Sequence, residues 1–303
     1  MFDRRREKDM NKPTIGFVGV GRMGANIARH LHELGYPITT LFDSYKSAAE
    51  LLAAEIGSQT AKNLPEVTAA ADVIFTVVTN DAAMESLFSG PDSLLHGASG
   101  KVFINCATVS PQAHEAAAAA ASSAGAATLA ACMASSITQA REGTLYLMVG
   151  GDAEVFTIWE PLLRDLSSSL RYVGSVGDAA KIKALVNMVM NINTAGLAEG
   201  LGLGIALGLD PDVLKEVFSQ TGANSQVLAT DGDDMIAREH VCFFSAAHAA
   251  KDSGIANTLA DEAHINVPLS KATQAQYQRL IDLGNGELDK SAIAELTFPG
   301  RAG

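Results

Sequence analysis

Short β-branched runs recur through the first half of the chain, at 14–20, 38–42, 73–78, 101–105 and 144–149, and read as strands. Between them lie Ala- and Leu-rich stretches at 22–34, 46–55 and 111–123 that read as helices. Strand alternating with helix predicts a largely parallel sheet covered on both faces. The pattern changes after about residue 177. Residues 178–208 are apolar at helical spacing without a proline, long enough to link two domains. Beyond them 211–220, 246–263 and 269–283 read as helices, with no convincing strand between. The chain thus divides into a mobile tail over 1–13, an α/β domain over 14–177, an interdomain helix over 178–208 and an all-helical domain over 209–303. Met10 is a second candidate start.

Composition narrows the classes. With 48% apolar and 18% charged residues, the chain describes an ordinary folded protein rather than a disordered one. A net charge of −12 argues against nucleic acid or an anionic membrane surface as partner. It leaves an acidic substrate open, since a locally basic pocket can sit inside an acidic protein. Cys106, Cys132 and Cys242 form no CxxC pair and read as reduced thiols of a cytoplasmic protein. The histidines form no HExxH arrangement, so a protein-bound metal is not expected. The uncharged stretch 184–198 carries three Asn and is shorter than the roughly 20 apolar residues of a membrane span, so it predicts a buried helix. The first residues are polar and lack the apolar stretch of a secretory signal.

The first strand runs into "GVGRMG", where Gly19, Gly21 and Gly24 enclose Val20, Arg22 and Met23. That spacing alone is a weak signal, and its context decides. A strand precedes it, the helical stretch 22–34 follows, and Asp43 ends the second strand about 20 residues on. This is the arrangement of a dinucleotide loop. Gly19 allows the tight turn, Gly21 lets the backbone approach a pyrophosphate, and Gly24 lets the helix pack close on the strand. The helix N-terminus offers N–H groups and partial positive charge to the phosphates. Asp43 would accept hydrogen bonds from the adenosine ribose. A carboxylate there, followed by Ser44 rather than an arginine, favours NAD over NADP, although Lys46 lies close by and NADP stays open. Val78 and Thr79, at the end of the third strand, complete the expected cofactor contacts on that side.

At this point the chain resembles the β-hydroxyacid dehydrogenase family, the 3-hydroxyisobutyrate dehydrogenases and tartronate semialdehyde reductases. "GFVGVGRMG" is similar to the family's opening signature, and four further segments match in order, from residue 14 to about 283. In "VFINCATVSP", Thr108 stands where the family places a threonine near the nicotinamide ribose, while Asn105 and Ala107 replace its Asp and Ser. In "ACMASSITQAREGTLYLMVGG" the second part fits well. The first departs from the family's Asp-x-Pro-Val-Ser-Gly-Gly, with Ala134, Ser135 and Ser136 at its last three positions. In the family that loop binds the substrate carboxylate, largely through backbone N–H groups. Backbone donors survive side-chain replacement and the two serines add hydroxyls, but loss of both glycines narrows the available conformations. The resemblance therefore implies a substrate that differs from the family's best-known ones.

"GSVGDAAKIKALVNMVMN" supplies the family's glycine pair, Gly174 and Gly177, followed by Lys183 and Asn187. The last two are i and i+4, so they share a helical face and can converge on one substrate. Moving a hydride from an alcohol carbon requires removal of the hydroxyl proton, and burial of a lysine lowers its pKa toward that task. Lys183 is the expected general acid/base, with Lys181 its neighbour on another face, and Asn187 orients the substrate hydroxyl or carboxylate. In "FSAAHAAKDSGIA", Lys251 resembles the family's lysine beside the nicotinamide, whereas His248 reads as a packed or surface residue.

The expected fold is α/β: an N-terminal Rossmann-type dinucleotide-binding domain, a long linking helix and a C-terminal all-α domain, with the active site in the cleft between the domains. The expected function is NAD(P)-dependent interconversion of a β-hydroxy acid and its semialdehyde or keto acid. Two alternatives stay open: reduction of an ω-semialdehyde of the succinic semialdehyde type, and a non-catalytic dinucleotide-binding sensor. The glycine-rich stretch 196–208 would permit the close helix contacts of a homodimer or homotetramer.

Overall fold

The computed structural model describes residues 12–301. The expectations for the tail and for Met10 lie, but for residues 12 and 13, outside them. The chain divides into two compact units at Lys183/Ala184.

The first unit is built on one eight-stranded sheet. In chain order its elements are β1 (Ile15–Val18), α1 (Arg22–Glu33), β2 (Ile38–Phe42), α2 (Lys46–Ile56), β3 (Gln59–Thr60), α3 (Leu64–Ala70), β4 (Val73–Thr76), α4 (Asp81–Leu87), β5 (Val102–Asn105), α5 (Pro111–Ser123), β6 (Ala127–Met133), α6 (Ile137–Glu142), β7 (Leu145–Gly151), α7 (Ala153–Asp165) and β8 (Ser167–Gly174). The strand order is β3-β2-β1-β4-β5-β6-β7-β8. Every pairing is parallel except β6 with β7. The order reverses between β1 and β4, which in an open α/β sheet places the ligand crevice at the carboxyl ends of those strands.

Successive strand residues point to opposite faces, and both faces are covered. Ile15, Phe17, Val73, Phe75 and Ile104 pack with Ile27 and Leu31 of α1, Leu52 of α2 and Leu163 of α7. Val18, Ile74 and Phe103 pack on the other side with Val67 of α3, Met84 of α4 and Ala117 and Ala121 of α5. This two-sided burial explains why the strands read as continuous apolar runs.

Three strands escape the sequence pattern for physical reasons. The Ala-rich "ATLAACM" of β6 carries little strand preference, and its state is set by pairing between β5 and β7. The Ser-rich β8 is a partly exposed edge strand that buries little of its own. β3 is only two residues long. Short helices are likewise fixed locally by caps: Asn63 accepts from the Glu66 N–H before α3, and Asn80 from the Ala83 N–H before α4.

Helix α8 (Val176–Ala206, 31 residues) begins in the first unit and continues through the division. Its start is closed by reciprocal bonds, Ser175 Oγ donating to Asp178 and the Asp178 N–H donating back to Ser175 Oγ. The second unit adds α9 (Pro211–Ser219), α10 (Gln226–Ala237), α11 (Ala246–Glu262), α12 (Pro268–Asp282) and a 3₁₀ turn over Lys290–Leu296. Its core gathers Leu197 and Leu201 of α8, Met235, Tyr277, Leu280 and Ile293. The glycines of the 196–208 stretch are partly used inside this unit. A Cβ at Gly200 would touch Phe218, one at Gly202 would meet Thr297, and one at Gly204 would collide with Leu214. Among the described residues no helix is long and apolar enough to cross a membrane.

His114 of α5 is fully buried, and Nε2 lies 3.1 Å from the Ala107 carbonyl. A carbonyl only accepts, so Nε2 carries the hydrogen, while the buried Nδ1 has no hydrogen-bond partner to stabilise a second one. Desolvation holds its pKa below the ordinary 6.5, against the opposing pull of the Ala107 bond and the Asp81 charge. The native state therefore resists a proton that the unfolded chain takes up, and stability is lost as pH falls below about 6.5. The expected result is a Tm that drops from about pH 7 to about pH 5, with a shallower slope in His114→Gln. Equal slopes would assign the acid loss to other groups.

Candidate active site

The loop between β1 and α1 is shaped by contacts that only glycine permits. The Gly19 N–H donates to Phe42 O at 2.9 Å, and Gly19 has φ +88°, in the left-handed region. A Cβ at Gly24 would lie 2.1 Å from Gly19 O, so the first turn of α1 can close on the strand end only without one. Gly21 differs, because a Cβ there would meet nothing within 4 Å. The chain leaves open space at the position where a pyrophosphate must approach the backbone. The N-terminus of α1 has no side-chain cap at Gly21 and no acidic residue in its first turn, so no carboxylate of that turn opposes an anion there.

Asp43 sits just beyond β2 and is half-buried. One carboxylate oxygen accepts from the Val20 N–H and the other from the Tyr45 N–H, both at 2.8 Å. The residue thus fixes the glycine loop, and each oxygen keeps a further lone pair for a ribose hydroxyl. Val78 and Thr79 follow β4, half-buried and exposed, and Thr108 is half-buried in the loop after β5. Val78 and Thr79 stand at the carboxyl end of β4, next to β1, and Thr108 stands beyond that of β5, one strand further. These residues fit a dinucleotide.

The departures from the family pattern have visible consequences. Asn105 is fully buried and its Oδ1 accepts from Thr76 Oγ1 at 2.7 Å. A neutral amide there avoids the desolvation cost of a buried carboxylate. In the 134–136 loop, the donors expected for substrate are turned onto the loop itself. The Ala134 N–H donates to Tyr146 O at 3.0 Å, and Ser135 Oγ accepts from the Tyr146 N–H at 2.8 Å. The Ser136 N–H and Oγ both donate to Gln139 Oε1. Ser135 keeps its hydroxyl hydrogen, while the Ser136 hydroxyl is committed to capping α6.

Two lysines compete for the proton-transfer role, and α8 separates them. Lys181 is exposed and paired with Asp178 at 3.4 Å. Lys183 is only 8% exposed. Its positive charge reaches Cys132 of β6, whose thiol is pushed up to about 12 by burial, with Lys183 opposing the rise. Cys132 is therefore a neutral thiol near neutral pH. Asn187, one turn after Lys183, is also buried, and its Nδ2 donates to Asp252 of α11 at 2.5 Å. Lys251 is half-buried, with Nζ 2.7 Å from Asp252 Oδ1. His248 is exposed and its ring lies 2.6 Å from Ser245 Oγ, the cap of its own helix. Asp252 is the residue that sequence reasoning passed over. A Lys–Asp pair on a helix is usually a solvated face, and nothing in the sequence signals that this carboxylate is 1% exposed.

Comparison with known proteins agrees with the fold and the loop. Residues 14–174 match the family described as the NAD binding domain of 6-phosphogluconate dehydrogenase. Residues 177–297 match the NAD-binding domain of NADP-dependent 3-hydroxyisobutyrate dehydrogenase. The chain is 30% identical to glyoxylate/succinic semialdehyde reductase 2, chloroplastic, of Arabidopsis thaliana, over 95% of this chain and 80% of that one. It is 30% identical to the NAD-dependent L-serine dehydrogenase of Pseudomonas aeruginosa, over 94% and 98% of the two. Among solved structures, Mycobacterium tuberculosis 3-hydroxyisobutyrate dehydrogenase with L-serine superposes with TM-score 0.85 at 26% identity, over 94% and 98%. On the two family matches, which together span most of the chain, and on relatives 30% identical over nearly its whole length, the chain belongs to the β-hydroxyacid dehydrogenase family of NAD(P)-dependent oxidoreductases.

Proposed function

We propose that the chain interconverts a β-hydroxy acid and the matching semialdehyde, with Lys183 as general acid/base. The observation that carries this reading is the contrast between buried Lys183 and exposed, ion-paired Lys181 on one helix. A buried amine without the full stabilisation of water is the group suited to take and return a proton near neutral pH. When bound, the nicotinamide supplies the hydride acceptor or donor. The loop over Gly19, Val20, Gly21, Arg22, Met23 and Gly24 holds the pyrophosphate through backbone N–H groups, and Asp43 takes the ribose. Val78, Thr79, Thr108 and Lys251 complete the proposed cofactor contacts. Lys183 accepts the hydroxyl proton in oxidation and returns it in reduction, while Asn187 orients the substrate.

Asp43 favours NAD, because a 2′-phosphate would meet a carboxylate already held by two backbone N–H groups. The 134–136 loop supports an ω-semialdehyde of the succinic semialdehyde type as the second reading. Its Ala134 and Ser136 donors are committed within the chain, so a substrate that relies less on that loop fits better. The relative named for glyoxylate and succinic semialdehyde points the same way.

A homo-oligomer is supported by the surface of the second unit, where Leu185, Val189, Leu203, Val213 and Val217 are exposed. The charge of −12 disfavours nucleic acid and anionic membranes, and the unpaired thiols of Cys106 and Cys132 suit a cytoplasmic setting.

NADH absorbance with a panel of hydroxy acids and semialdehydes tests the reaction. Lys183→Ala is expected to lose about 10²–10⁴ in kcat while still binding NADH. A variant that keeps most of the wild-type rate would remove Lys183 from the chemistry. Gly21→Ala is expected to keep the wild-type Tm and weaken NADH binding by about tenfold or more, roughly 1.4 kcal/mol. Unchanged NADH affinity would show that the cofactor does not lie over that loop. In light scattering, Val189→Asp with Leu203→Asp is expected to reduce the particle mass, and a wild-type mass already equal to one chain would end the oligomer proposal.

A further inference from the structure

We propose that Asp252 is a positioning residue, anchoring the nitrogen end of the Asn187 amide so that the amide oxygen is the atom Asn187 offers on the helix face it shares with Lys183. The inference rests on the reading that Asn187 and Lys183 serve the reaction. An asparagine amide is nearly symmetrical in shape, and a half-turn of its end exchanges a donor for an acceptor. On a solvated surface both orientations coexist. Asn187 and Asp252 are 2% and 1% exposed, so water does not offset a wrong choice. An ionised carboxylate only accepts, and it takes the Asn187 Nδ2 hydrogen at 2.5 Å. The flipped amide would set oxygen against oxygen in a buried place, which costs a lost charged hydrogen bond plus repulsion. Lys251 Nζ, 2.7 Å from the other oxygen of Asp252, supplies the countercharge that keeps this carboxylate an acceptor.

With its nitrogen held, the amide directs an acceptor along the face of α8. One turn earlier on that face is the amine of Lys183, whose N–H hydrogens are the donors such an acceptor suits. An N–H held in this way leaves the remaining position of the nitrogen for the substrate hydroxyl or carbonyl oxygen. Asp252 touches neither substrate nor cofactor in this scheme and acts on the substrate side through Asn187; its ion pair with Lys251 is a separate route, on the cofactor side, which the KM for cofactor reads.

The same two helices provide an internal comparison one turn on. Asn191 Nδ2 donates to Ala249 O at 3.1 Å and to Ser253 Oγ at 3.0 Å. That contact likewise fixes a buried amide nitrogen of α8 on α11, through neutral acceptors, and has no part in the proposed reaction. Asp252→Ala, Asp252→Asn and Ser253→Ala are therefore compared for kcat, KM for both substrates, NADH affinity and Tm. Asp252→Ala is expected to lose about tenfold or more in kcat with the KM for cofactor within about twofold. Asp252→Asn keeps the shape and can present an acceptor oxygen, so it is expected to restore part of that loss. Ser253→Ala is expected to lower Tm while keeping kcat within about twofold. Equal kcat losses in Ser253→Ala and Asp252→Ala, or none in Asp252→Ala, would overturn the proposal. A wild type that turns over nothing would instead count against the proposed reaction. The anchoring is then read without turnover, from the side-chain ¹⁵N–H signals of Asn187. Faster hydrogen exchange in Asp252→Ala supports it, and unchanged exchange refutes it.

Discussion

A polar group taken out of water must find a partner, and that constraint organises the inner face of α8. Lys183, Asn187, Asn191 and Thr194 recur at helical spacing and are all buried. Each answers the constraint differently. Thr194 Oγ1 donates to the Met190 carbonyl of its own helix, and Asn191 bridges to α11 through a carbonyl and a hydroxyl. Asn187 takes a buried carboxylate, which itself needs Lys251. A purely apolar stripe would pack these helices as well or better, since buried polar pairs add little net stability. Their presence along one face is better explained by the work that face does than by folding.

The glycine loop follows the complementary rule, in which side chains are removed so that backbone can do the binding. Gly19 and Gly24 are dictated by the protein, since either Cβ would strike backbone. Gly21 is dictated by no contact within the protein, which leaves its backbone open to the pyrophosphate that the proposed function places there. Asp43 joins the two ideas. It is a structural brace for Val20 and Tyr45, and the brace would hold the same carboxylate in place for the ribose of the proposed function.

Much of this was legible in the sequence, and the reasons for the rest are physical. The parallel strands β1, β2, β4 and β5 declare themselves as apolar runs because both faces of the sheet are buried. β6 and β8 do not, because Ala- and Ser-rich segments carry no strand signal apart from their partners. The glycine register could be read from spacing, and the resemblance singled out Lys183, which the fold buries while leaving Lys181 exposed. The orientation of the loop donors could not. Ser135 and Ser136 look like free hydroxyls in sequence, and only the fold shows Tyr146 and Gln139 taking them. Asp252 was hidden for the same reason: burial is a property of packing between α8 and α11, not of a Lys–Asp dipeptide.

The departures from the family pattern share a direction. Asn105 replaces a carboxylate at a fully buried strand end, and its Oδ1 is satisfied by Thr76. Two loop glycines become serines whose polar atoms bond to neighbouring chain. Both changes put polar side-chain atoms into hydrogen bonds within the protein. On the proposed function, a loop that has committed its Ala134 and Ser136 donors and keeps the Ser135 hydroxyl hydrogen would discriminate less by gripping a carboxylate and more by shape. Under the proposed function recognition would then rest more on Lys183 and Asn187, both buried on α8. That proposal keeps one proton-transfer residue while the acid it serves is altered at the loop.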